Sequence, residues 1–184
     1  MTLSANGWTA LTAGSRYLHR WAVPEVDDET PDRGFTVRRG SVGFLLMHLT
    51  TWFHDEVERL DLGVWDDWGW ASRPIRDGTV TSNHASGTAI DLNATRHPHH
   101  VPVDRTFTPA QASAIRKRLG YYEGVIDWGG NWRPENVDGM HFEIAPGTTM
   151  ADCERVAAKL LDTPRGKRML DLRSNARQRR VVLG

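Results

Sequence analysis

His84 and Asp91 stand seven residues apart in the stretch TSNHASGTAIDLN (81–93), and His141 lies in a second cluster, DGMHFE (138–143). Imidazole nitrogen and carboxylate oxygen are donors that zinc accepts, and a catalytic zinc usually takes three protein ligands and leaves a fourth position for water. His84, Asp91 and His141 make such a set. An odd separation would send His84 and Asp91 to opposite faces of a flat strand. Gly87, between them, permits the turn or bulge that brings both to one side. Asp138 precedes His141 by three residues across Gly139. It reads either as a general base that takes a proton from attacking water or as a turn-forming aspartate, and spacing alone leaves both open. A chain with eight His contains some His and Asp at this distance by chance, so the pattern gains weight only from its neighbours.

Among those neighbours, Ser82 and Asn83 are expected to support the turn or to hydrogen-bond a ligand from behind. Trp128 and Trp132 either floor a cleft or pack in the core. His48 and His54 read as structural or solvated. Cys153, the single cysteine, shares a helical stripe with Met150, Val156, Ala157, Leu160 and Leu161 and reads as buried. No intrachain disulfide is available to it.

These groups need a scaffold, and 184 residues suit one domain with a short appendage. Residues 1–40 read as loops with a short strand at 35–38. From Ser41, a plausible N-cap, apolar residues fall at three- and four-residue steps to Leu60, which predicts one face of a long helix with Gly63 beyond its end. Residues 66–76 read as a short strand ending near Pro74, and 88–92, 125–128 and 140–144 as further short strands. Thr108-Pro109-Ala110-Gln111 is a helix start with a capping box, ending at Gly120. Thr148 or Thr149 caps a last helix to about Leu161. Short strands alternating with helices predict an α+β domain, a small antiparallel sheet flanked by helices.

Residues 1–163 are expected to form the catalytic domain and 164–184 a basic C-terminal tail or helix. The latter carries seven Arg or Lys against Asp171 alone and reads as solvated, with contact to an anionic polymer as the sharper alternative. Over the whole chain 23 basic and 23 acidic residues cancel, so no nucleic-acid partner is expected. The N-terminal residues lack a basic start followed by an apolar run, so no signal peptide is expected. No stretch reaches the roughly 18 apolar residues of a membrane span. Synthesis in the cytoplasm, without membrane insertion, is the expectation.

SNHASGTAID followed by DGMHFE resembles the zinc D-alanyl-D-alanine carboxypeptidase and L-alanyl-D-glutamate peptidase family, which includes VanY-like carboxypeptidases, vancomycin-resistance dipeptidases and phage endolysin peptidase domains. The family pattern S-x-H-x-x-x-x-x-x-D, then D/E-x-x-H, is met by Ser82, His84, Asp91, Asp138 and His141. Asn6-Gly7-Trp8, WASRPIR, AIDLNATRHP and WGGNW also look like actinobacteriophage endolysin peptidase domains, so the resemblance spans residues 6 to about 147. It implies the hedgehog/DD-peptidase fold, one Zn2+ on His84, Asp91 and His141, and Asp138 as catalytic base. Arg73 holds the place of an arginine that polarises the scissile carbonyl, with Arg76 as competitor. His97 and His99 form an H-x-H pair used by another class of zinc wall peptidases. The matching upstream His-x-x-x-Asp is missing, and the His97–His100 loop is expected to be exposed and outside the site. Two departures stand out: the base is Asp where many relatives have Glu, and no separate wall-binding module is visible.

The function this implies is hydrolysis of an amide bond in the stem peptide or cross-link of bacterial peptidoglycan by a monomeric enzyme. Such an enzyme would be of endolysin type, with holin-dependent access to the wall if a phage lysin. The alternatives are a D-alanyl-D-alanine carboxypeptidase of host wall metabolism, a non-catalytic zinc-containing wall-binding domain, and nucleic-acid binding through residues 165–180.

Overall fold

The computed structural model describes residues 2–24, 26, 33–60, 64–75 and 78–182. In chain order the elements are β1 (Leu18–Trp21), β2 (Phe35–Arg38), α1 (Ser41–Glu56), β3 (Ala89–Asp91), α2 (Val103–Thr106), α3 (Pro109–Leu119), β4 (Ile126–Trp128), β5 (His141–Ile144), α4 (Met150–Leu160), α5 (Pro164–Asp171) and α6 (Arg179–Val182). Among the described residues this is an α+β fold with two small antiparallel sheets, β1-β2 and β3-β5-β4. The expected single sheet is thus joined by a hairpin of β1 and β2, with Leu18 opposite Arg38 and Trp21 opposite Phe35. Neither Gly63 nor Arg76 is among the described residues.

The three-stranded sheet has two chemically distinct faces because side chains alternate along each strand. Ile90 pairs with Phe142, which in turn pairs with Trp128, so these three share the apolar face. Phe53 of α1 meets Phe142 edge-on at 6.0 Å, and Trp128 stacks on Phe142 at 6.0 Å. Asp91 pairs with His141, and Glu143 with Ala89 and Asp127. They occupy the opposite face.

α1 is not the one-faced helix that its periodicity predicts. Every residue from Ser41 to His54 is buried, as expected of a helix surrounded by packing partners, here the sheet, β1, β2 and the C-terminal helices. Its polar side chains are accommodated locally: Thr50 and Thr51 donate to the carbonyls of Leu46 and Met47, each at 2.9 Å. Gly40, at φ 70°, is the N-cap in place of Ser41, with no side-chain cap. The expected capping box of α3 is present, Thr108 with Gln111, and Thr149, one of the two expected caps of α4, forms a box with Asp152. Cys153 is buried in α4, and burial pushes its thiol up to about 12.

The basic C-terminal residues pack instead of standing off as a solvated appendage. Met169, Leu170 and Val182 enter the core. Buried Asn175 accepts from Ala22 N–H at 2.9 Å and donates to the carbonyls of Ala22 and Met169 at 2.8 and 2.9 Å. Gln178 accepts from the N–H of Gly40 at 3.0 Å, at the start of α1. The charges point outward, and Arg165 and Arg168 meet Asp55 at the other end of α1.

Candidate metal centre

His84 is delivered by a single 3-10 turn, Asn83–Ser86. Ser82 starts the turn by accepting from His84 N–H at 3.3 Å. Gly87 ends it in the left-handed region at φ 69°, where a Cβ would also lie 2.8 Å from Arg38 N. The chain can then enter β3 and place Asp91 beside His84. Of the stretch expected as a strand, the described residues 66–75 contribute isolated bridges, Trp68 with Asp91 and Pro74 with Thr81. They still do work at the site. The Gly69 carbonyl accepts from His84 Nδ1–H at 2.7 Å, which leaves Nε2 facing Asp91. Gly69 is required because a Cβ there would stand 2.3 Å from the Thr36 carbonyl oxygen.

Asp91 and His141 face each other across β3 and β5. The Asp91 carboxylate lies between the two imidazoles, Oδ2 3.2 Å from His84 Nε2 and Oδ1 2.9 Å from His141 Nδ1. One ligand atom from each of the three residues lies within 4.8 Å of the others, and all three residues are buried. His84 Nε2 is buried without a hydrogen bond, an orphaned atom of the kind a metal ion would satisfy. Two imidazole nitrogens and a carboxylate oxygen are a zinc donor set, and the residues present fit that ion. Burial alone would raise the pKa of Asp91, but the charge of His84 and the hydrogen bond from His141 hold it well below the carboxylate range. Burial alone would lower that of His141. Hydrogen bonds to Asp91 and Glu143 outweigh it and carry His141 up to about 10.

Glu143 has no expected role from sequence, yet it completes the cluster. His141 Nε2 donates to Glu143 Oε2 at 2.8 Å, and Asn83 Nδ2 donates to the same oxygen at 2.6 Å. A carboxylate behind a ligating histidine fixes its ring and tautomer. The signal was the H-x-E spacing: residues two apart on a strand share a face. Asn83 thus supports the site from behind, and Ser82 shapes the turn.

Asp138 lies outside the three-residue donor cluster. Its N–H donates to the Gly129 carbonyl at 3.1 Å, and its own carbonyl accepts from His141 N–H at 3.2 Å, so a tight turn ties it to the third ligand. Arg73 is exposed, and its carbonyl accepts from Ser82 N–H at 3.1 Å, two residues before His84. Trp132 stands by the site, its ring 5.3 Å from that of His141 and its Nε1 donating to Asp127 at 2.8 Å. It also lines a cavity of about 450 Å³ with Phe107, Val103, Val137 and Arg116. Trp128 does not share that role: it is fully buried on the apolar face, donating to the Gly139 carbonyl at 2.8 Å. The histidine loop is exposed at Pro98 and His100, as expected, but not at its first residue. His97 is buried, stacked on Phe107 at 3.6 Å and bonded to Glu58 at 3.0 Å.

Residues 76–144 match the family model described as D-alanyl-D-alanine carboxypeptidase. The matched stretch contains all three donors, Asp138 and Glu143, and supports a peptidase of that family; Arg73 and the N-terminal residues lie outside it. No curated protein and no solved structure gave a match.

Proposed function

We propose that this chain is a zinc-dependent peptidase of bacterial peptidoglycan, hydrolysing an amide bond of the stem peptide or cross-link. The observation that carries this reading is the buried His84, Asp91 and His141 cluster, with the orphaned His84 nitrogen turned toward the other two donors. The family match supports the substrate class. A zinc ion held by these residues would supply Lewis acidity toward water and the scissile carbonyl. Asp138 accepts the proton of the attacking water and later returns one to the leaving amine. Arg73, with its fixed charge, stabilises the developing oxyanion. The cavity beside Trp132 gives the rest of the substrate an apolar wall.

We place the enzyme in an endolysin setting, made in a host cytoplasm and acting on the wall, on the strength of the resemblance in its motifs. The family description favours a second reading, a D-alanyl-D-alanine carboxypeptidase. Mass spectrometry of peptidoglycan digested by the purified chain separates them: release of D-alanine alone marks the carboxypeptidase, and cleaved stems or cross-links mark the endopeptidase. Metal analysis of the same preparation should give about one zinc per chain, and removing it by chelation should abolish hydrolysis. Peptidoglycan left chemically unchanged, with neither free D-alanine nor cleaved stems after incubation with the zinc-loaded protein, would refute both readings.

A further inference from the structure

We infer that the N-terminal residue Asn6 is a positioning residue of the metal centre, acting on His141 through Asn83 and Glu143; the inference rests on the zinc reading of that centre. Asn6 lies far before the matched stretch, yet it is buried against it. Its Nδ2 donates to Thr88 Oγ1 and to the Ile144 carbonyl, each at 2.9 Å, and its Oδ1 accepts from Ser4 Oγ at 2.8 Å. These bonds anchor Asn6 to both flanks of the site, beside β3 and at the end of β5.

So held, the backbone N–H of Asn6 lies 2.8 Å from Asn83 Oδ1. A backbone N–H can only donate, so the side-chain oxygen of Asn83 must face it. The amide nitrogen of Asn83 must then face Glu143, where it donates at 2.6 Å. Glu143 Oε2 receives that bond and one from His141 Nε2 at 2.8 Å. His141 thereby keeps a proton on Nε2, and Nδ1, which donates to Asp91 in this structure, is the nitrogen that a metal would take. Asn6 N–H donates to Asn83 and Asn83 to Glu143, while His141 donates to Glu143 from the other side, so the two ends of the chain meet on one carboxylate oxygen. Without the Asn6 side chain, the backbone N–H of residue 6 loses the anchors that hold it against Asn83, and Glu143 loses a steady second donor.

The test measures zinc affinity by chelator competition on the full chain, together with the visible spectrum of the cobalt-substituted protein. Asn6→Ala and Glu143→Gln are each expected to weaken zinc binding about 10- to 100-fold. Because they act in series, the double variant should lose little more than the weaker-binding single variant. Should Asn6→Ala fold poorly, Ser4→Ala loosens the same anchor more gently and should shift affinity in the same direction. An unchanged affinity and cobalt spectrum in folded Asn6→Ala, or effects that simply add, would overturn the inference. A parallel readout in the metal-free chain is the His141 Nε2–H proton resonance, expected to be protected in the parent and to exchange faster in Asn6→Ala. If the parent binds no zinc but this proton behaves as stated, the positioning chain stands and the zinc reading falls; equal exchange in both proteins sinks the positioning chain itself.

Discussion

His141 and His48 are both nearly sealed from solvent, at 7 % and 1 % exposure, yet the protein treats them oppositely. On the polar face of the sheet, His141 sits between the carboxylates of Asp91 and Glu143, which overcome its burial and raise its pKa to about 10. In the helical layer, His48 bonds to Tyr122 Oη at 3.0 Å. Burial, with Arg118 and Arg165 nearby, lowers its pKa to about 3. A similar split divides two buried aspartates on neighbouring backbone. Asp91 has two imidazoles and is held low. Asp67 lacks such partners: burial raises it to about 7 in spite of a 2.8 Å hydrogen bond from Asn93 N–H. Burial alone gives neither residue type a function. What distinguishes the candidate site is that its buried carboxylates, Asp91 and Glu143, each meet an imidazole.

The largest expected effect falls on the chemistry of the polar face. Asp138→Asn should retain the metal, since Asp138 lies outside the donor cluster, and lower wall hydrolysis by roughly 10²- to 10⁴-fold. Loss of the metal in this variant, or full activity, would erase the separation between holding the ion and moving the proton.

Asp67→Asn probes the mismatched buried acid. The folded chain keeps the Asp67 proton up to about pH 7, whereas the unfolded chain releases it near pH 4. The unfolded state therefore binds fewer protons between those values, and the contribution of Asp67 to stability falls as pH rises through them. The variant should gain on the parent across this window, by as much as roughly 4 kcal/mol at pH 8. Urea titrations at pH 4, 6 and 8 read the difference, and a gap that does not change with pH contradicts the account.

Two smaller effects concern the helical layer. Asn175→Ala strands the buried backbone of Ala22 and should cost about 2–3 kcal/mol in denaturant unfolding; a neutral change would return the C-terminal residues to the status of an appendage. Arg165→Gln should cost below about 1 kcal/mol, because its pairs with Asp55 and Glu56 are partly solvated. It should also move the His48 pKa upward, visible in its ring-proton shifts, and a fixed His48 would show that Arg165 takes no part in holding it neutral.

Features set by short-range chemistry were legible in the sequence. The caps of α3 and α4 need only residues three apart, and both formed as expected. The clustering of His84, Asp91 and His141 was also legible, although their spacing did not specify the 3-10 turn that presents His84. Features that depend on distant pairing were not. β1 contains Leu18, His19, Arg20 and Trp21, too short and mixed a pattern to announce a strand, and it exists through its register with β2. α1 showed an apolar stripe, but nothing in its spacing says that three further layers will close over its polar side. Glu143 and Asn6 escaped for a similar reason: their roles follow from the register of β5 and from contacts spanning up to 138 residues.

The alternation along β5 also limits how the gene can change. His141 and Glu143 face the donors while Phe142 and Ile144 face α1, and the strand sits between two others. A single codon gained or lost between Asp138 and His141 that shifted the strand by one position would exchange the two sets, exposing Phe142 and burying imidazole and carboxylate against α1. Length variation is therefore cheaper in the Arg133–Asn136 loop than in the three-residue step into β5. The step from Asp138 to His141 is held as a parity, and drift in sequence there is open to substitution but closed to insertion.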